Sequence, residues 1–257
     1  MNSKEEIQFQ KRLQDMANRV YSRGIPVFTD FLSISESSIL HTMKNKLAGI
    51  RYETYGGYEF AERQIAMFVP DALFYDGYEE YPQDDYPIVT LKIDSIHKKF
   101  AEKLTHRDYL GALIGLGVER SQIGDIVVME HCAYAFCHTG MAEFFQKELV
   151  QVRNTAVKTT VTTEEVSAQL TLQELTGTVP SLRADAVTAM VYKYSRNHAL
   201  ELFRGQKIFI NGRLTESGSQ QLKEGDIVSV RGLGRFVFTE VLSVTKKDRY
   251  CIQIKKY

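Results

Sequence analysis

Apolar residues near the start of the chain recur at helical intervals. Ile7, Leu13, Met16, Ala17 and Val20 sit near helical spacing and give a helix over residues 1 to about 24, with Gly24 and Pro26 as its stop. A second helix is expected around Ile39, Leu40, Met43 and Leu47, capped by Ser35 or Ser37. The pattern then turns strand-like. Ile50–Tyr55 followed by a Gly56-Gly57 turn reads as a hairpin, and Ile65–Val69, ending at Pro70, as a strand. An acidic, tyrosine-rich stretch from Tyr75 to Tyr86 marks a loop or boundary.

The next stretch alternates regularly. Ile88–Ile93 reads as a strand. A helix begins at Thr105 with Asp108 as its capping partner, and Tyr109, Leu110, Leu113, Ile114 and Leu116 form its apolar face. Ile126–Met129 and Ala133–Cys137 read as paired strands, Met141–Val152 as a helix and Ala156–Val161 as a strand. This order is the split βαβ pattern. Many RNA-recognition domains share it, as do unrelated proteins, so it does not decide function. The aromatic-rich motifs of the best-known RNA-recognition domain are absent. A Thr-rich connector, Thr159 to Thr178, follows.

The last segment opens with a helix from Ser181 to about Tyr194. A second helix runs over Ser195–Phe203, with Ser195 as N-cap and Gly205 as stop. Lys207–Ile210 is a strand. Asn211-Gly212 is a strong hairpin signal, because both positions of that turn favour positive φ. Lys223–Asp226 turns into the strand Ile227–Val230, and two more apolar strands follow Arg231–Arg235. The expected architecture is α+β and multidomain: residues 1–80, a split-βαβ domain (ferredoxin-like or RNA-recognition-like) over 81–165, and a small basic domain over 178–257.

Composition sharpens this picture mainly through charge. Of 257 residues, 44% are apolar and 25% charged, ordinary for a chain that buries real cores. The longest apolar run, Leu110–Val118, is far short of a membrane span. The charged start Met1–Glu6 has no apolar core of a secretory signal, and three cysteines without framework spacing suggest reduced thiols in a cytoplasm. Net charge is zero, but the sum hides an asymmetry. Residues 178–257 carry 14 Lys and Arg against 7 Asp and Glu; the chain totals are 32 and 32, which leaves 18 against 25 for residues 1–177. A basic module on an acidic body points to a polyanion partner for the module.

Four short patterns lie in order across that module: S-L-R-x-D at 181–185, S-R-x-x-A at 195–199, G-x-x-x-x-I-N-G at 205–212 and G-D-x-V-x-V-R-G at 225–232. Together they resemble the RNA-binding domain first described in the fourth protein of the small ribosomal subunit. Ala184 departs from the larger apolar residue usual there. The resemblance implies that the two helices and the following hairpin present a cationic face to structured RNA. The implied RNA-binding residues are Arg183, Ser195, Arg196, Arg204, Lys207, Asn211, Arg213, Arg231 and Arg235. Guanidinium forks suit phosphate oxygens, and each neutralised phosphate releases counterions.

The whole chain resembles the YlmH family of bacterial cytoplasmic proteins. Gly111–Ile126 is similar to that family's central signature, and Val230–Phe236 fits as well. This resemblance implies association with rRNA of the large ribosomal subunit and with a bound tRNA during rescue of stalled translation.

Other motifs weigh less. Gly111, Gly115 and Gly117 sit late in a helix with no Lys-Ser/Thr behind them, so a helix exit explains them better than a phosphate loop. His106-Arg107-Asp108 imitates a kinase loop without its companions, and capping explains it. His131, Cys132, Cys137 and His138 are metal-ligand types, but strand alternation spreads them over two faces. Asn211–Leu214 resembles a pseudouridine synthase loop, yet Thr215 stands where its aspartate is required. Asp94, His97 and Asp125 have no acid–base spacing. The expectation is a non-catalytic RNA-binding protein with no cofactor, metal, membrane or DNA partner. Residues 1–165 then contact protein, tRNA or RNA through basics such as Lys92, Lys98, Lys99, Lys103, Arg107 and Arg120. The alternatives are an RNA-modifying enzyme guided by the module, or a protein–protein adaptor in which Arg183 and Arg196 are silent. Reversing those two arginines to Glu is expected to abolish RNA association and spare the fold.

Overall fold

The computed structural model describes residues 3–43, 46–47, 49–59, 61–70, 82–97, 102–166 and 173–256. Most of the Tyr75–Tyr86 stretch, the 80/81 domain boundary, Lys98, Lys99 and the middle of the Thr-rich connector lie outside them. The chain divides into two compact units, residues 1–169 and 170–257. No helix among the described residues is long and apolar enough to cross a membrane.

The first unit begins with α1 (Ser3–Arg23), ended by Gly24 at φ +68°. Its apolar stripe packs Leu13, Met16 and Val20 against Leu40, Met43, Ala66 and Phe68. The helix α2 (Ile34–Met43) is capped earlier than expected, at Ser33. The Ser33 N–H and hydroxyl donate to the Glu36 carboxylate at 2.8 and 2.7 Å, and the Glu36 N–H donates back to the Ser33 hydroxyl. Ser37, an expected cap, is instead buried. The strand β1 (Val27–Leu32) was hidden in the sequence because a register shift between Phe28 and Phe31 breaks its two-residue period. It joins β2 (Ile50–Tyr55) and β3 (Gln64–Pro70) in a sheet of order β1-β3-β2.

β2 and β3 do pair as a hairpin, but through residues 56–63 and not a two-residue turn. The Gly56-Gly57 pair serves close packing. A Cβ on Gly57 would lie 2.3 Å from the Phe136 ring, and one on Gly56 would lie 2.5 Å from the Arg63 carbonyl oxygen. That connection packs on the second sheet of the same unit.

This second sheet contains β4 (Ile88–Ser95), β5 (Ile123–Val128), β6 (Cys132–His138), β7 (Gln151–Val152) and β8 (Thr155–Thr162), in the order β5-β6-β4-β8-β7. With α3 (His106–Gly115) and α4 (Ala142–Glu148) as crossovers, it is the expected split βαβ arrangement. The capping box at Thr105 is present: its N–H and hydroxyl donate to Asp108 at 2.8 and 2.7 Å. Gly117, at φ +83°, makes the helix exit. α4 stops at Glu148, short of Val152, because the chain there turns into β7. The helices cover one sheet face, burying Leu91, Ile93, Tyr109, Leu113, Phe145 and Val157.

The second unit is one six-stranded antiparallel sheet and two helices, α5 (Ala184–Tyr192) and α6 (Arg196–Arg204). Its strands are β9 (Gln173–Val179), β10 (Ile208–Ile210), β11 (Arg213–Leu214), β12 (Ile227–Val230), β13 (Gly234–Val244) and β14 (Tyr250–Lys256). The order is β11-β10-β12-β13-β14-β9. Val187, Phe203, Val228, Phe236, Phe238, Ile252 and Ile254 form its core. The end of the Thr-rich connector is therefore a strand. β9 pairs with β14 along its whole length, and as a mostly exposed edge it needs few apolar residues. The Asn211-Gly212 turn has φ of +49° and +73° and joins β10 to β11, as its sequence predicts.

Candidate nucleic-acid interface

The helix α5 is mostly apolar and buried, and its one charged residue, Asp185, has no exposed surface either. A lone buried carboxylate is costly unless paired. Here two arginines pair it. Arg183 donates from Nε and Nη2 at 3.1 and 2.9 Å, and Arg196 from the same two nitrogens at 3.1 and 3.3 Å. Burial pushes the Asp185 carboxyl up, but the two guanidiniums outweigh it and leave its pKa below the ordinary value. The backbone closes the same knot: the Asp185 N–H donates to the Gly218 carbonyl at 3.0 Å. A guanidinium has five N–H donors. Two of each are spent on Asp185, while the Arg183 and Arg196 side chains stay 34% and 47% exposed. Both can therefore hold the carboxylate and still offer N–H groups outward.

This geometry changes the expected outcome of charge reversal. Glu at position 183 or 196 would add a second carboxylate beside a buried one and remove one of its two partners. Loss of the fold is the expected result, so that substitution does not isolate RNA binding.

The remaining predicted residues fall into two groups. Arg204, Lys207 and Arg213 are exposed, at the end of α6, the start of the sheet and β11. None of the three makes an ion pair among the described residues. The Arg231 guanidinium lies 5.5 Å from the centre of the Phe209 ring, and its backbone N–H donates to the Lys207 carbonyl, so these two cations are neighbours along the sheet end. Arg235 is half-buried on β13, opposite Ser229. Asn211 and Ser195 do local structural work. The Asn211 amide nitrogen donates to Asp226 at 2.8 Å, and its oxygen accepts from the Ile227 N–H at 2.9 Å. The Ser195 hydroxyl accepts from the His198 N–H, capping α6.

In the first unit the structure removes several candidates. Asp125 accepts from the Tyr58 hydroxyl at 2.9 Å and from the Glu62 and Arg63 N–H groups at 2.7 and 3.0 Å, so it anchors the 56–63 connection. Arg63 donates to the carbonyls of Phe31, Arg120 and Ile123. Arg120 donates to the carbonyls of Ile123 and Gly124 and is spent inside this joint. Burial, and then the neighbouring Arg63, lower its pKa. A Cβ on Gly124 would meet the Phe31 ring at 2.6 Å. The stretch Arg120–Asp125 thus fastens the two sheets of this unit together.

Part of the sheet face opposite α3 and α4 is covered as well. The Tyr58 ring stacks on Phe136 at 4.9 Å. Glu164 takes Lys92 Nζ at 2.7 and 3.0 Å and the Tyr134 hydroxyl at 2.5 Å. Lys92 and the two aromatic rings are therefore committed within the unit. Lys103 and Arg107 are exposed. Cys132 and Cys137 are free thiols five positions apart on β6 and so on opposite faces; burial pushes the Cys137 thiol up to about 12. A cavity of about 640 Å³ lies between the strands and the 163–166 segment, with Glu59, Glu164 and Glu165 on its wall but no Lys, Arg, His or Cys among its described lining residues.

Two family models match stretches of the first unit. Residues 5–71 match the model described as "YlmH, N-terminal", and residues 82–166 the one described as "Putative RNA-binding domain in YlmH". A protein of Bacillus subtilis (strain 168), named ribosome-associated protein quality control protein P2, is 30% identical over 234 residues, 89% of this chain and 86% of the relative. The chain belongs to the YlmH family. A solved structure, cell division protein ylmH from Streptococcus pneumoniae, is similar with a TM-score of 0.50 at 25% identity, over 63% of this chain and 93% of that one. The YlmH signature at Gly111–Ile126 now has a physical reading in this chain: a helix exit followed by the joint between sheets.

Sequence reasoning did not single out Asp185 as the anchor of Arg183 and Arg196. The signal was available, since a single acid two residues after Arg183 interrupts an otherwise apolar helix. It also missed the ring pair of Tyr194 and His198 beside the predicted cations, which no periodicity marks.

Proposed function

We propose that this YlmH-family protein is a non-catalytic RNA-binding protein of the cytoplasm. In this reading it docks on structured rRNA or tRNA at the large ribosomal subunit and serves translation or the handling of stalled ribosomes. The observation that carries the reading is the set of exposed cations Arg204, Lys207 and Arg213, outside any described ion pair, in the same unit as the part-exposed guanidiniums of Arg183 and Arg196. Cations already neutralised by carboxylates gain little from phosphate; Arg204, Lys207 and Arg213 do not have that cost, and Arg183 and Arg196 share a single carboxylate between them. The name of the Bacillus subtilis relative supports the ribosomal context. The description of the central family model supports an RNA role for residues 82–166. The commitment of Lys92, Tyr134 and Phe136 within the first unit directs us to the second unit as the primary contact.

The test compares the full chain with an Arg204→Ala, Lys207→Ala, Arg213→Ala variant, binding ribosomal RNA over a range of salt. The variant is expected to bind more weakly and to lose about 0.9 from the log–log salt slope for each phosphate contact removed. An unchanged slope and affinity would overturn the assignment. An RNA-modifying enzyme, the rival reading, would draw on the 640 Å³ cavity with its three glutamates. It predicts a modified nucleotide that disappears from cellular RNA when Glu59 and Glu165 become Gln.

A further inference from the structure

The turn between α5 and α6 is fixed at both ends. The Tyr194 N–H reaches back to the Ala189 carbonyl at 2.9 Å, Lys193 holds a left-handed conformation at φ +55°, and Ser195 caps α6. Residues 193–198 form a continuous exposed run: Lys193, Tyr194, Ser195, Arg196, Asn197 and His198. Within it, Tyr194 and His198 pack their rings edge to face at 4.4 Å. The Tyr192 ring lies 6.3 Å from that of Tyr194, inclined to it by 28°, and Lys256 Nζ stands 4.4 Å from the centre of the Tyr192 ring. The result is a line of rings that starts on the core residue Phe236 and ends at the surface on Tyr194, which is 36% exposed.

An exposed ring on a rigid turn, with a cation on each side of it in sequence, is the arrangement that takes a base and its phosphates together. Aromatic side chains bind unpaired bases by stacking, while paired bases inside a duplex hide their faces. We propose that Tyr194, backed by His198 and Tyr192, stacks on one unpaired base of the bound RNA, with Lys193 and Arg196 on the flanking phosphates. This rests on the RNA-binding reading above and narrows it. The ligand is a helix interrupted by a bulge or loop nucleotide, not a continuous duplex.

The test uses the full chain and two RNA hairpins identical in phosphate charge. One carries a single bulged adenosine, the other an abasic residue in the same bulge. The wild-type chain is expected to prefer the adenosine bulge by about tenfold. Tyr194→Ala erases that preference and leaves the salt dependence unchanged. Tyr194→Phe and Tyr194→Trp keep it, and they guard against a mere folding defect in the alanine variant. Equal wild-type affinity for the two hairpins, with the Arg204, Lys207, Arg213 variant still weakened on both, overturns the stacking proposal and leaves the RNA reading standing. Binding to neither hairpin beyond the affinity for heparin, a polyanion without bases, overturns both.

Discussion

Asp125 in the first unit and Asp185 in the second each stand at the centre of an arginine-rich knot, and the two knots do different things with similar chemistry. Around Asp125 the carboxylate takes backbone N–H groups and a tyrosine hydroxyl, while the guanidiniums of Arg63 and Arg120 are spent on five carbonyl contacts. Around Asp185 the carboxylate takes the guanidiniums themselves, two nitrogens from each. The first arrangement consumes cations to fasten two sheets. The second fixes the orientation of two cations and leaves part of each outside. An arginine held this way loses less side-chain entropy on meeting a phosphate. Charge alone therefore does not mark an RNA surface; what matters is where the donors point.

The sharpest way to break this comparison is to remove the carboxylates. Asp125→Ala leaves two backbone N–H groups and the Tyr58 hydroxyl without their acceptor, at about 1 to 3 kcal/mol for each group that stays dry. The first unit is expected to lose about 3 to 5 kcal/mol in denaturant unfolding. RNA affinity carried by the second unit should remain. A stability loss under about 1 kcal/mol would mean that the joint is not held by this network.

Asp185→Ala comes next, with an expected loss of about 3 kcal/mol from the second unit, the lower end for a broken buried pair because both arginines reach solvent. It should also weaken RNA binding, since Arg183 and Arg196 lose their common anchor. A pH series sharpens the point. The folded pKa of Asp185 lies below its ordinary value. Its stabilisation is thus complete above the unfolded carboxylate value of about 4 and is lost as pH falls through the lower folded value. Asp185→Asn removes that part of the acid dependence. Identical acid unfolding curves for the wild type and the Asn variant would show that Asp185 is not held ionised by its arginines.

How much of this was legible beforehand follows the same physics. Elements with a clean period or a named turn were readable: α1, α3 with its capping box, β4, β6 and the Asn211-Gly212 hairpin. β1 was not, because a bulge breaks its alternation, and β9 was not, because a mostly exposed edge strand needs little apolar sequence. For the proposed interface, sequence supplied the positions of the cations but not the state of their donors. Arg120 and Arg204 are the same residue type. One is spent on carbonyls between two sheets and the other stands in solvent, a difference set by contacts between residues far apart in the chain. Gly56-Gly57 shows the same limit. Its composition signals a turn, while its packing against Phe136 is what demands the missing side chains.

Ser195 offers the finest test. It was expected to touch RNA, yet its oxygen already accepts the His198 N–H as the cap of α6. Ser195→Ala should cost about 1 kcal/mol, the usual value of such a cap. For a unit of this size that lowers the melting temperature by about 4 to 8 °C. Threonine, which can cap in the same way, should recover most of the loss. Measured well below the melting transition, RNA affinity is expected to change by about twofold or less, because the guanidiniums are held by Asp185 and not by the cap. The opposite pattern, an unchanged melting temperature with a large loss of affinity, would place the hydroxyl on the RNA. It would also extend the surface knot to a third member.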